Sequence, residues 1–233
     1  MSSSKGLLET VVSTGSKTKN KKNQVYEILK NRIMHNELKP QEYLNEPELC
    51  EDLGVSKTPI REALQQLERD RLVVIVPSKG CFVAGISLDL IREVFEIREV
   101  FECAAARFAA RMPSRALFEE LLESHESFKA VNDASVRRSL VTGYQIHQVI
   151  IDASSNSFLS SYYNSILAHI LRIRLYFLNR FESKRLHETC DEHRRILLAI
   201  IAGDEDEAEV AMRDHLSKSL LNIGQVMVTK RWE

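Results

Sequence analysis

Residues 54–83 read GVSKTPIREALQQLERDRLVVIVPSKGCFV, and the hydrophobic period changes partway along them. Ile60, Ala63, Leu64 and Leu67 recur at helical spacing and make one buried stripe. Lys57, Thr58, Arg61, Gln65 and Gln66 are left for the outer surfaces. Ser56 or Thr58 serves as the N-cap, and Pro59 suits the first turn, where a missing N–H costs nothing. Two β-prone runs follow, 72–76 and 81–83, divided by Pro77, Ser78, Lys79 and Gly80, so the spacing predicts a hairpin.

Working outward, Val25, Ile28, Leu29 and Ile33 form the stripe of a helix that starts at Lys22 and ends near Asn36. Leu38, Tyr43 and Leu44 around Pro40 read as a short packed connection. A second helix spans 46–53 and stops at Gly54, which can take the left-handed conformation of a C-cap. Only the Gly-Val-Ser-Lys segment separates it from the third helix, the spacing of a helix-turn-helix. Three helices followed by a hairpin make a winged helix-turn-helix. Its cationic third helix, with Ser56, Lys57, Thr58, Arg61 and Gln65, can enter the major groove of double-stranded DNA. The wing, with Lys79 and a Gly80 that permits close approach, can lie along the backbone or minor groove. Two packed helices alone would mark nothing; the combination of turn, basic helix start and wing is what points to DNA.

Composition is compatible with this reading but does not carry it. The 233 residues are 44% hydrophobic and 28% charged, with a net charge of -1. Residues 1–84 hold 13 Lys+Arg against 11 Asp+Glu, and residues 85–233 hold 19 against 22, a mild asymmetry. No apolar run approaches the ~20 residues of a membrane span, and MSSSKGLLETVVSTGSKTKNKKN lacks a secretion signal's apolar core, so a cytoplasmic protein is expected. Cys50, Cys81, Cys103 and Cys190 lack paired spacing and read as reduced thiols. Three regions result: a basic tail over 1–20, the winged domain over 21–85, and a mainly helical remainder over 86–233.

That remainder reads as an antiparallel bundle of about six helices. Leu90, Val94, Ile97, Phe101, Ala104, Ala105 and Phe108 mark the first, with further helices over 116–131, 135–153, 157–181, 184–202 and 205–228. Gly203 ends one helix, Asp204 caps the next, and Glu207 completes a capping-box pattern. His147, His193 and His215 fall on three different helices and could meet in the bundle core as ligands of a borderline divalent metal such as zinc or nickel. Spacing alone leaves the alternative open, since an isolated helical His is more often a hydrogen-bonded or surface residue. His35, His125, His169 and His187 keep that second reading.

GVSKTPIREALQQLERDRLVVIVPSKGCFVAGIS resembles the N-terminal domain of the GntR superfamily of bacterial transcription regulators, in its FadR-like branch, and the region from Leu88 is similar to that branch's all-helical FCD effector domain. The resemblance spans residues 21–228. It implies a homodimer on a palindromic operator, with Lys57, Thr58, Arg61, Lys79 and Gly80 at the DNA-contact positions. Pro47 stands where relatives usually carry a DNA-contacting Arg, and Lys57 replaces a common Arg. Many FCD domains hold a divalent metal through an Asp and three His; His147, His193 and His215 match the three, while position 143 is Gly rather than the Asp, with Tyr144 or water able to fill the gap. Arg98 resembles a position facing the effector pocket, where it could clamp the carboxylate of a small organic anion or simply pair with Glu102; Arg172 and Arg174 are similar, weaker candidates. The alternative is the same regulator without metal, sensing an acyl-thioester or other larger ligand. An enzyme is not expected: no general-base motif, nucleophile elbow or phosphate-binding Gly loop accompanies the histidines.

Overall fold

In the computed structural model the described residues are 21–129, 144–178 and 180–229. Ile60, Ala63, Leu64 and Leu67 are all fully buried, and around them the chain wraps α1 (Lys21–Met34), α2 (Glu46–Leu53) and α3 (Lys57–Arg69). Gly54 ends α2 at φ 62°, in the left-handed region that lets the chain turn directly into α3. Ser56 is the N-cap residue of α3, but its side chain makes no capping hydrogen bond.

The wing has strands β2 (Val73–Val76) and β3 (Gly80–Val83), joined antiparallel with Val74 opposite Phe82 and Val76 opposite Gly80. A further strand, β1 (Tyr43–Leu44), adds to β3 and gives the order β1-β3-β2. From sequence this segment reads only as a packed connection, because two residues are too few to display alternation. Leu44, Val73, Cys81 and Val83 turn inward onto the helices, while Tyr43, Val74 and Phe82 form a row on the outer face.

The remaining helices are α4 (Leu88–Ala110), α5 (Ala116–Lys129), α6 (Tyr144–Ala153), α7 (Ser157–Leu178), α8 (Ser183–Ala202) and α9 (Glu205–Thr229). The expected helix over 135–153 is described from Tyr144 onward, and residues 130–143, including Gly143, lie outside the described residues, as do 1–20. Ser87 caps α4 by accepting from the Leu90 N–H. Asp204 caps α9 through the Glu207 N–H at 3.0 Å. The Glu207 carboxylate does not close the capping box; it pairs instead with Arg195 at 2.7 Å. Helices α4 and α9 pack antiparallel, with Arg107 paired to Glu205 and Asp206 at one end and Arg213 to Glu99 further along.

Each region has its own apolar core, and α7 belongs to both. Its Ala168 packs in the winged domain's core, while Ile170, Ile173 and Phe177 pack in the bundle's. The junction is polar where the two meet. His169 Nε2 lies 2.8 Å from the Asp70 carbonyl, Asn36 Nδ2 donates to the Arg172 carbonyl, and Arg172 Nη2 donates to the Ala84 carbonyl.

Candidate functional site

Three buried imidazoles meet in the bundle core. His147 comes from α6, His193 from α8 and His215 from α9, and one ring nitrogen of each lies within 4.8 Å of the others. His147 Nε2 and His193 Nε2 stand 3.3 Å apart. Two nitrogens bound to one tetrahedral zinc at ~2.0–2.1 Å are separated by about 3.3–3.4 Å, so this spacing suits a shared ion.

The surroundings set the tautomers. His147 Nδ1 lies 2.7 Å from Glu102, and His215 Nδ1 lies 2.8 Å from Glu192. Burial alone would raise both carboxyls, but Arg98 and His147 hold Glu102 well below the usual carboxylate range, and His215 and Arg185 lower Glu192. Ionised carboxylates only accept, so each Nδ1 donates and each Nε2 keeps its lone pair. Burial also depresses the imidazoles themselves, His215 to about 4 and His147 and His193 in the same direction, so they are neutral at pH 7. His193 Nδ1 has no hydrogen-bond partner among the described residues. An unprotonated donor set with two carboxylate-histidine pairs is what a borderline divalent cation requires, and the residues present fit one.

Glu102 is fully buried and joins three groups: Arg98 through two hydrogen bonds of 2.7 and 3.3 Å, His147, and the Tyr163 hydroxyl at 2.8 Å. Glu192 is held comparably by Arg185 at 2.7 and 3.0 Å. Sequence reasoning misses Glu102 as a site residue, along with Tyr163, Arg185 and Glu192. It takes Ile97 for a core position, yet Ile97 is 42% exposed while Arg98 and Glu102 are buried. The clue is the Arg98 to Glu102 pair lying on the same stripe as Val94, Phe95 and Ala105.

Beside the triad lies a cavity of about 60 Å³ whose wall includes Arg98, Arg174 and His215. Arg98 is therefore both the helix partner of Glu102 and a wall residue. Burial lowers Arg174 to about 10, leaving it cationic at neutral pH. Arg172 is a correction to the sequence reading: it does not line the cavity. It is 0% exposed and turns toward Ala84 at the junction, because alternate positions of a helix face opposite ways. Tyr144 begins α6.

On the winged domain, Ser56, Lys57, Thr58, Arg61 and Gln65 are exposed together along the first turns of α3. Arg61 Nε donates to Glu46 at 2.9 Å, which leaves both terminal nitrogens of the guanidinium for another acceptor. Lys79 is exposed at the wing tip. Gly80 has φ 104°, and a Cβ there would stand 2.6 Å from the Tyr43 ring.

Comparison with known proteins agrees with both halves. Residues 21–83 match the family described as bacterial regulatory proteins, gntR family, and residues 93–218 match the FCD domain. The chain is 26% identical over 204 residues to the HTH-type transcriptional repressor RspR of Escherichia coli K12, covering 87% of this chain and 89% of RspR. It is 27% identical over 210 residues to the HTH-type transcriptional regulator YdhC of Bacillus subtilis, covering 88% and 91%. Among solved structures, a putative GntR regulator from Rhodococcus sp. RHA1 superposes with a TM-score of 0.70 at 24% identity, over 90% of this chain and 99% of that one. Escherichia coli McbR/YncC superposes equally well at 22% identity, over 88% and 98%. Such proteins are DNA-binding, effector-responsive transcription regulators and not enzymes, and no helix among the described residues is long and apolar enough to cross a membrane. With an N-terminal winged helix-turn-helix and a C-terminal FCD domain, this chain belongs to the GntR family of bacterial transcription regulators.

Proposed function

We propose that the protein is a cytoplasmic, metal-containing regulator that binds a palindromic operator as a homodimer and responds to a small organic anion, a carboxylate, taken up beside the metal. The observation that carries the sensor half is the buried triad of His147, His193 and His215, two of them backed by carboxylates. The ion, zinc or nickel, would supply a Lewis-acidic centre for an anionic ligand. His147, His193 and His215 hold it, Glu102 and Glu192 fix two of the rings, and Arg98 and Arg174 bring cationic character to the cavity wall.

For the DNA half, the exposed start of α3 combines uncapped backbone N–H groups, which attract phosphate, with Lys57 and Arg61, which suit guanine edges. A second copy of the chain is supported by α4, where Ile97 and Val100 are 42% and 66% exposed and share a face with half-buried Phe101 and Ala104.

Helix α7 supports a route between the two sites. Ile170, Ile173, Arg174 and Phe177 line the cavity, and His169 and Arg172 from the same helix hold Asp70 and Ala84 of the winged domain and its connection. A ligand that favours one position of α7 would bias how the winged domains are presented. It can do so only as far as its affinity differs between the DNA-bound and free forms. Elemental analysis of protein purified without an affinity tag tests the metal: one divalent ion per chain is expected, and a metal-free chain would favour the larger-ligand alternative. Effector titration with and without operator tests the coupling, and equal affinities would rule it out.

A further inference from the structure

We propose that the ligand taken by the cavity beside the histidine triad is a monocarboxylate with a short unsubstituted apolar tail, of about two or three carbons. This rests on the reading of that cavity as the sensor site, and it narrows the ligand from small organic anions in general to one amphiphilic class.

The wall changes character along its length. The ion pairs Arg107 to Glu205 and Arg213 to Glu99 fix α4 and α9 antiparallel, so successive turns of the two helices pass the cavity in opposite order. On α9 the lining runs from His215 through Ser219 to Ile223; on α4 it runs from Arg98 back to Phe95 and Val94. The ligand-bearing and cationic ends coincide, and so do the apolar ends. Arg174 belongs to the first end, since both it and Arg98 act electrostatically on His147. Helix α7 then adds Ile170, Ile173 and Phe177. Away from the triad the polar side chains of the wall are the hydroxyls of Thr189 and Ser219, neither of which carries a charge to neutralise a second carboxylate. Thr189 moreover already donates to the Arg185 carbonyl at 2.8 Å.

An anionic head at the triad with an apolar tail toward Ile223 satisfies this wall. A dicarboxylate or a polyhydroxylated acid would bring a second polar group against Val94, Ile173 and Phe177, where the uncharged Ser219 hydroxyl, which accepts from Arg185 at 3.1 Å, offers one hydrogen bond and no charge to balance a second carboxylate. The cavity's 60 Å³ holds about four water-sized bodies of ~15 Å³, room for a carboxylate head and a tail of about two or three carbons.

The test is calorimetric titration of the zinc-loaded full chain with acetate, butyrate, 3-methylbutyrate and hexanoate, against succinate and 4-hydroxybutyrate. Affinity is expected to rise about fourfold per methylene until the cavity fills. Succinate and 4-hydroxybutyrate are expected at least tenfold weaker than butyrate. Ile223→Thr should flatten the chain-length dependence, and Thr189→Val, at constant volume, should steepen it. Succinate binding as tightly as butyrate, or a flat chain-length series, would overturn the inference and leave the sensor reading standing. Failure of every acid to bind while zinc is retained would overturn both.

Discussion

Replacing Glu102 with Gln isolates the contribution of one buried charge. The carboxylate is 0% exposed and receives hydrogen bonds from Arg98, His147 and Tyr163. Gln keeps the volume but removes the negative charge, and Arg98, whose side chain is only 8% exposed, is left without its counter-ion. Breaking a buried pair from one side costs about 3–5 kcal/mol. For a domain of this size each kcal/mol is worth about 2–4 °C, so the metal-free variant should melt roughly 6–20 °C lower. The neutral amide also no longer orients His147 through an anionic acceptor, and zinc affinity should fall about 10–100-fold. Melting followed by circular dichroism reads the first effect, and chelator competition reads the second. Adding Arg98→Met should recover a good part of the stability, because no unpaired charge remains. It should recover none of the zinc affinity. A Glu102→Gln protein that melts within about 2 °C of the parent, the smallest shift expected for a single kcal/mol, and holds zinc equally well would refute the reasoning.

Other outcomes follow from the same geometry. The native His215 resists protonation down to about 4 while its unfolded form protonates near 6.5, so stability is complete above about pH 6.5 and is lost as the pH falls toward 4, by roughly 3 kcal/mol; urea midpoints of the metal-free protein at neutral, mildly acidic and more acidic pH measure this. Gly80→Ala introduces a Cβ 2.6 Å from the Tyr43 ring at φ 104°, and should cost about 1–3 kcal/mol and weaken DNA binding, whereas adding Tyr43→Ala should relieve the clash but not the backbone strain. Arg172 has two side-chain nitrogens without partners among the described residues and one bond to the Ala84 carbonyl, so Arg172→Met should leave thermal stability unchanged or raise it by about 1–4 kcal/mol. The same variant should reduce the effector's influence on DNA affinity at least fivefold, read by fluorescence anisotropy with and without effector.

Much of the fold can be read before any coordinates because its punctuation is local. Gly54, Gly203 and Asp204 end or begin helices through their own backbone and side-chain chemistry. The stripe of Ile60, Ala63, Leu64 and Leu67 likewise specifies its face at a single period. Strand β1 escapes because two residues contain no period, and Glu207 is assigned to its own helix start because the competing partner, Arg195, lies on another helix. The site is legible only in part for the same reason. Three histidines on three helices have no readable mutual geometry, and a glutamate on a helix is ordinarily solvated, so the burial of Glu102 and Glu192 depends on which helices pack around them. Arg172 and Arg174 cannot be separated by sequence, although two positions of offset send one to the domain junction and the other to the cavity.

The central claim is that the exposed start of α3 seats among base edges, twice over, on a symmetric site. Its most direct measurement is the salt dependence of binding by the full chain and by Lys57→Ala to DNA flanking its own gene, combined with a footprint. The expected result is a protected region with a dyad and a steep linear fall of log affinity with log salt, its slope reduced by about 1 for each phosphate that Lys57 neutralises. A protein whose affinity is indifferent to salt and to Lys57→Ala, or whose footprint lacks a dyad, would contradict it.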